Sequence, residues 1–261
     1  MNDKKTKTET KENGQTRVPW NPWLGVVFVI VVYYAAEILA GLMLAIYPGI
    51  RHWSHDRALD WLTNSTIAQF FYLVLASGGI LAAIHLFLKR YGCTFQTIGL
   101  KKPRWRDPMY ALIAVPAYYL LYLIAVSVLT HFVPSFNVDQ QQQVGFNGVH
   151  GALPLAMAFV SLVILPPLTE EIMVRGFLYS SLKKGMKIIP AAILTSLIFA
   201  AAHLPEGGAA GPLYIAALDT FILSLVLTYL REKTGSLWAS ITLHAIKNGI
   251  AFVALFVAHA H

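Results

Sequence analysis

Long apolar runs divide the chain, and most have the length of a helix that crosses a membrane. They lie near residues 24–47, 66–88, 109–133, 152–183, 188–204, 212–230 and 236–258. A helix needs roughly 20 consecutive apolar residues to cross the hydrocarbon core of a bilayer. The pattern therefore predicts an all-α fold, a multi-pass transmembrane helical bundle of about seven spans.

The fourth run, 152–183, is too long for one straight crossing. As an α-helix it would reach about 48 Å, against a hydrocarbon core of about 30 Å. Pro166 and Pro167 remove two backbone donors near its middle, so we expect a kinked or two-piece helix whose freed carbonyls are buried in protein. The bundle has eight helices if this segment is counted twice. Two full crossings would put later basic loops on the opposite side, so we count one.

The composition indicates that lipid, and not water, surrounds most of the chain. Charged residues make up 13% of the chain and the mean hydropathy is +0.57, which leaves too few polar groups to cover a water-exposed surface. The single cysteine, Cys93, excludes an internal disulfide and a four-cysteine metal site. The net charge of +7 lies mainly in the loops, so we expect membrane lipid around the protein and no nucleic-acid partner.

The basic residues alternate between loops. The tail and every second loop carry 16 of the 20 Lys and Arg residues, whereas the intervening loops carry only Arg51 and Arg57. Basic loops stay on the cytoplasmic side of a membrane. We therefore expect an integral membrane protein of a bacterial plasma membrane with its N-terminus in the cytoplasm. All six Trp residues fall at or beyond the ends of the predicted spans, where indole rings favour the headgroup level.

Ionisable and polar residues inside the spans gather after residue 169. A charge at the bilayer centre costs about 2.5–3.5 kcal/mol on insertion scales, so such residues are candidates for function. They are Glu170, Glu171, Arg175, His203, Asp219, His244, Lys247 and Asn248. Glu37 and His85 stand apart from this group.

The depth of each residue in the membrane indicates which of them lie at the same level. Counted from the basic inner edges at 1.5 Å per residue, Glu170 lies about 20 Å deep, His203 about 22 Å, His244 about 12 Å and Asn248 about 18 Å. These four residues are thus expected near the middle of the membrane.

The two adjacent glutamates should differ in role. Glu171 and Arg175 are four residues apart and share a helix face, which favours an ion pair that supports the structure. Glu170 is turned by about 100° from Glu171 on an α-helix. Glu170 is therefore the glutamate that we expect to take part in a reaction. Asp219 and Lys247 are expected to pair or to face the polar cavity.

Three short motifs follow one another on successive apolar segments. The first is Glu170-Glu171-x-x-x-Arg175 followed by Gly176, and the second is Phe199-x-x-x-His203. The third is His244-x-x-x-Asn248, after a Gly-Ser-Leu-Trp-Ala-Ser stretch. In kind and order they resemble the motifs of the CPBP intramembrane proteases, a family that includes the type II CAAX prenyl endopeptidases. The resemblance covers roughly residues 166–252.

The resemblance implies an intramembrane endopeptidase that hydrolyses a peptide bond of a membrane-associated protein or peptide. Glu170 and His203 would activate the attacking water, with Glu170 as the general base. His244 and Asn248 would stabilise the oxyanion on the scissile carbonyl. Fixed donors in a water-poor site stabilise such developing charge strongly. Glu171 and Arg175 would support this site.

The polar composition of the tail, the apolar runs and the extent of the resemblance together divide the chain into three parts. Residues 1–19 would form a disordered cytoplasmic tail and residues 20–150 the N-terminal membrane helices. Residues 151–261 would form the catalytic membrane helices.

A metal-centred mechanism stays open at this stage. Glu170, His203 and His244 match the ligand types of several catalytic zinc sites, and members of the family have long been labelled metalloproteases. The chain lacks the His-Glu-x-x-His helix that is the usual zinc protease signature. We commit to no metal ligand and favour a metal-free or metal-optional glutamate mechanism.

Other functions fit the same residues less well. A catalytically silent membrane scaffold or bacteriocin-immunity-type factor would use the polar core for binding or stability, and a transporter is a weaker third possibility. No Gly-x-Ser-Gly or Gly-x-Gly-Asp motif supplies a rhomboid-like serine or a presenilin-like aspartate. Ser236 stands at a helix start, where Ser commonly caps. The protease is favoured because all four presumed reacting residues are present.

Overall fold

The computed structural model describes residues 18–140, 142, 145, 146 and 149–258. Within these residues it is all-helical, with no strand, as the hydrophobic pattern predicts. The helices are α1 (Pro22–Ile50), α2 (His55–Asn64), α3 (Thr66–Arg90), α4 (Arg106–Phe132), α5 (Ala152–Gly185), α6 (Ile188–Ala202), α7 (Tyr214–Thr234) and α8 (Trp238–Phe256). A 3₁₀ turn, Leu204–Ala210, follows α6.

Seven of these helices, all except α2, are long and apolar enough to cross a membrane. Their number agrees with the sequence prediction of a seven-span bundle, and the protein is an integral membrane protein. Of the predicted N-terminal tail, residues 1–17 lie outside the described residues. Val18 is buried against the helices.

Helix α5 lies at the centre of the bundle. It packs against α1 and α3 on one side and against α6, α7 and α8 on the other. Every residue from Glu171 to Leu178 is buried, whereas α1 and α4 carry many exposed large apolar side chains. The outer helices therefore provide a surface for lipid, and α5 provides a shielded position for charged side chains.

The prolines do not divide α5 into two pieces. The backbone stays helical through Pro166 and Pro167, and π-helical segments lie on both sides of them, at Val160–Ile164 and Glu171–Leu178. A π turn bonds each carbonyl to the residue five positions later and is frequently found at functional sites. The irregularity expected at the prolines thus takes the form of wider turns within one continuous candidate span.

Trp20 departs from the expected position of the tryptophans at the membrane surface. Its side chain is only 1% exposed and stacks on Phe177 with a centroid distance of 5.0 Å. Its indole N–H donates a hydrogen bond to Ser181 Oγ, 2.7 Å away. Trp20, two residues before α1, therefore fastens that helix to α5, because its indole N–H finds a partner inside the protein.

Candidate active site

Glu171 and Arg175 form a fully buried ion pair on α5. Arg175 Nη1 lies 2.9 Å from Glu171 Oε1, and both side chains have 0% exposure. The Arg175 guanidinium also lies over the Phe199 ring of α6, 4.4 Å from its centroid. A buried charge is tolerable only when it is paired and hydrogen-bonded, so this pair and its aromatic neighbour hold α5 against α6.

Glu171 also contacts His244, the histidine of the third motif, on α8. His244 Nδ1 lies 3.0 Å from Glu171 Oε1. An ionised carboxylate only accepts hydrogen bonds, so Nδ1 carries the hydrogen in this contact. The other ring nitrogen, Nε2, is left for the cavity side of the ring.

Glu170 approaches the opposite side of the same imidazole. Its Oε2 lies 3.8 Å from His244 Nε2, which is too long for a direct hydrogen bond. This oxygen is buried and has no hydrogen-bond partner among the described residues. The two adjacent carboxylates thus lie at different nitrogens of one imidazole, at the point where the π-helical segment begins.

His203 ends α6 and lies beside the same aromatic ring as His244. Its Nδ1 lies 2.8 Å from the Phe199 carbonyl oxygen, and the Phe199 ring centroid is 4.7 Å from His203 and 6.3 Å from His244. A carbonyl only accepts, so Nδ1 donates and Nε2 keeps its lone pair in the neutral ring. The carboxylate within ion-pair distance of His203 is that of Glu206, at 3.8 Å.

Asn248, one turn beyond His244 on α8, completes the set predicted from the sequence. Its Nδ2 donates a hydrogen bond to the Leu162 carbonyl oxygen of α5 at 2.9 Å. An amide nitrogen carries two hydrogens, so one remains after this contact.

These side chains line one cavity of about 440 Å³ between the helices. Glu170, His203, His244 and Asn248 all contribute to its wall. The cavity thus collects every residue that the sequence predicts to react. Glu171 and Arg175 lie behind them in the protein.

Two further carboxylates of the cavity were not predicted to lie there. Glu206, in the turn after α6, lines the cavity near His203 and accepts a hydrogen bond from Gln142 Nε2 at 2.8 Å. Glu37 lines the opposite part of the wall and accepts a hydrogen bond from the Tyr72 hydroxyl. No sequence motif marks these contacts, because they join residues far apart in the chain.

The predicted pair of Asp219 and Lys247 is present. Lys247 Nζ lies 2.9 Å from Asp219 Oδ2, and the Tyr118 hydroxyl donates to the same carboxylate. This network joins α4, α7 and α8 and gives the partly buried lysine a counter-charge.

The donor set does not have the arrangement of a metal centre. Within the described part of the chain, no three His, Cys, Asp or Glu side chains converge in a way that would hold a metal ion. Nδ1 of His203 and Nδ1 of His244 each contact a protein acceptor, which leaves Nε2 of each ring for the cavity, so the mismatch lies in the placement of the three side chains and not in their donor atoms. Glu170, His203 and His244, the three ligands that a metal site would use, thus do not fit one as they stand. We derive no reaction step through a metal.

Residues 152–250 match the family model described as "Type II CAAX prenyl endopeptidase Rce1-like". The chain therefore carries an Rce1-like segment. This segment confirms the family resemblance of the three motifs, and it contains Glu170, His203, His244 and Asn248 together with the Glu171–Arg175 pair.

The similarity to a curated protein extends beyond the Rce1-like segment. The chain is 28% identical over 204 residues to "Uncharacterized protein YyaK" of Bacillus subtilis (strain 168). The matched region is 76% of this chain and 62% of that protein. The chain thus spans less than two thirds of the length of this relative. No solved structure gives a significant match.

Proposed function

We propose that the protein is an intramembrane endopeptidase that hydrolyses a peptide bond of a membrane-associated protein or peptide. The Rce1-like segment supports this kind of function. The observation that carries the proposal is the unpartnered, buried carboxylate oxygen of Glu170, which faces His244 in a cavity between candidate membrane spans. An ionisable residue inside a membrane span is costly, so its presence there marks a candidate for function.

In this proposal Glu170 is the general base. It removes a proton from a water molecule whose oxygen attacks the carbonyl carbon of the scissile amide. The resulting tetrahedral intermediate carries the negative charge on the former carbonyl oxygen. Glu170 then returns the proton to the amide nitrogen as the C–N bond breaks, which leaves a carboxylic acid and an amine.

His203 is proposed to hold the attacking water with Glu170. Its Nδ1–H is fixed on the Phe199 carbonyl, so the Nε2 lone pair accepts a hydrogen bond from water. Hydrogen bonds in a site without substrate are often long and tighten only when the substrate is bound. Both His203 and Glu170 line the cavity, and the shared water is proposed to lie between them there.

His244 and Asn248 are proposed to stabilise the oxyanion. His244 donates from Nε2 only when this nitrogen is protonated, and the Glu171 carboxylate on Nδ1 stabilises the resulting positive charge. Asn248 contributes the hydrogen that its contact with Leu162 leaves over. Arg175 holds the Glu171 carboxylate in place through the ion pair, so the pair acts through His244 and not on the substrate.

We further propose that the N-terminus lies in the cytoplasm of a bacterial cell. The support is the distribution of basic residues, which concentrates them in the tail and in alternate connections between the helices. Membrane lipid and a protein or peptide substrate are the partners that this function requires.

The proposal is tested by comparing peptide termini in membranes from cells that express the wild-type chain or Glu170→Gln. Termini that appear with the wild type and are missing with Glu170→Gln are expected. Asp56→Asn, which removes an exposed carboxylate of α2, is the control and should give the wild-type set. Identical termini in all three membranes, with equal protein levels by blot, would indicate the silent scaffold instead.

A further inference from the structure

Two consecutive prolines leave one carbonyl of α5 without a donor in its own helix. The Leu162 carbonyl would bond to residue 166 in an α-helix and to residue 167 in a π-helix. Both positions are proline, and proline has no N–H. Inside a membrane an unsatisfied backbone carbonyl costs several kcal/mol, so another donor must reach this oxygen.

Asn248 supplies that donor from a different helix. Its Nδ2 lies 2.9 Å from the Leu162 oxygen, across 86 residues of sequence. The side chain comes from α8. This helix packs directly against the π-helical segment Val160–Ile164 of α5 and against the following turn, which contains the prolines. The Asn248 amide thus supplies the hydrogen bond that the Leu162 carbonyl cannot receive from the backbone of α5.

The contact lies close to the proposed reacting groups on both helices. On α8, Asn248 is one turn from His244 and on the same face. On α5, Leu162 lies two turns before Glu170. A hydrogen bond between these two points sets how far α5 and α8 are apart, and with it the 3.8 Å separation of Glu170 and His244.

We propose that Asn248 caps the Leu162 carbonyl with one amide hydrogen and thereby also fixes Glu170 relative to His244, in addition to the oxyanion contact proposed for its other hydrogen. The cap itself is independent of the proposed proteolysis. Its effect on turnover rests on the proposed function. This role differs from oxyanion stabilisation, because a donor restored within α5 can replace a cap but cannot replace a group that contacts the substrate.

A double-mutant cycle with the prolines separates the two roles. Pro166→Ala restores the α-helical donor to Leu162, and Pro167→Ala restores the π-helical one. In the wild-type background, Asn248→Ala is expected to lower the thermal midpoint of the purified full-length chain by roughly 2–6 °C. In either proline background the loss should be less than half as large. Pro48→Ala, in α1, is the matched control and should leave the effect of Asn248→Ala unchanged.

Turnover of a substrate identified from the membrane termini gives the second measurement. If Asn248 positions Glu170, the double variants should recover at least part of the kcat that Asn248→Ala loses. Recovery of the thermal midpoint without any recovery of kcat would overturn the positioning role and assign the loss to the oxyanion. Equal thermal losses in all backgrounds would overturn the cap. If the wild-type chain hydrolyses no substrate, the proposed function is contradicted. The thermal cycle still tests the cap in that case, because it does not depend on turnover.

Asn248→Leu decides the question if neither proline variant folds. This substitution keeps about the size of the side chain and removes the donor. A lowered midpoint is expected, because the Leu162 carbonyl would lose its hydrogen bond. A midpoint equal to that of the wild type would overturn the cap.

Discussion

Glu170 and Glu171 are adjacent in the chain, yet their carboxylates lie at opposite nitrogens of one imidazole. Glu171 is 3.0 Å from His244 Nδ1, and Glu170 is 3.8 Å from His244 Nε2. Glu171 Oε1 contacts both Arg175 and His244, whereas Glu170 forms no ion pair with a Lys or Arg among the described residues; Oε2 of each glutamate has no hydrogen-bond partner among those residues. The same residue type therefore occupies an ion-paired position and the position of our proposed base within one turn.

Removal of the Glu170 carboxylate should stop hydrolysis without unfolding the protein. We expect Glu170→Gln to lower kcat by roughly 10²–10⁴-fold, the usual contribution of a general base. The thermal midpoint should stay near that of the wild type, because this carboxylate makes no ion pair with a Lys or Arg. Cleavage assays and thermal unfolding of the same preparation measure the loss of kcat and the thermal midpoint. Wild-type turnover by Glu170→Gln would contradict its role as the base.

Removal of the Glu171 charge should affect stability first. Glu171→Gln leaves the Arg175 guanidinium buried beside a neutral side chain, and breaking a buried pair costs about 3–5 kcal/mol. The double change Glu171→Gln and Arg175→Met removes both charges, so we expect it to be less destabilising than Glu171→Gln alone. Thermal unfolding of the three proteins in one detergent measures this difference. Equal stability of Glu171→Gln and the wild type would show that the pair does not stabilise the fold.

Much of this arrangement follows from local sequence rules. The apolar runs predict all seven candidate spans, because a bilayer fixes the length of a crossing helix. The four-residue spacing predicts the Glu171–Arg175 contact. The pairing of Asp219 with Lys247 follows from the cost of leaving a buried charge alone.

The remaining features depend on contacts between distant segments. Trp20 has the position of an interfacial residue in the sequence, but the packing of α1 on α5 buries it. Glu206 follows a span and has the pattern of a loop residue, but the 3₁₀ turn after α6 brings it back to the cavity. Hydropathy describes which segments enter the membrane and carries no information on which of their faces meet.

The close approach of α1 to α5 gives a third prediction. A Cβ atom at Gly25 would overlap the Ser181 side chain, which is also the acceptor for the Trp20 indole. We expect Gly25→Ala to destabilise the protein by about 1–3 kcal/mol, because the helices must separate or Ser181 must turn away. Thermal unfolding and the fluorescence of the tryptophans report this change.

Gly49, in the same helix, is the control for that substitution. No atom lies within 4 Å of a Cβ built there, and Ala is favoured over Gly in a helix. Gly49→Ala should therefore keep or slightly raise the thermal midpoint. Equal destabilisation by the two alanines would show that the contact with Ser181 is not the cause.

Metal removal should leave turnover unchanged. The cavity residues do not converge as three metal ligands within the described chain, and the proposed water activation uses Glu170 and His203. We expect the same kcat before and after exhaustive treatment with a chelator, measured with metal analysis of the protein. Loss of activity that returns on addition of zinc would contradict the metal-free mechanism.

The orientation of the chain gives the last prediction, and it can be measured without a substrate. Cys93 is the single cysteine, so Cys93→Ser gives a background in which one new thiol reports its own side of the membrane. Ser135→Cys lies after α4 and Thr94→Cys lies between α3 and α4, and both positions are exposed. With the N-terminus in the cytoplasm, a membrane-impermeant maleimide should label Ser135→Cys in intact cells. It should label Thr94→Cys only after permeabilisation, because Thr94 belongs to the basic connection that remains inside. The reverse pattern would place the N-terminus outside.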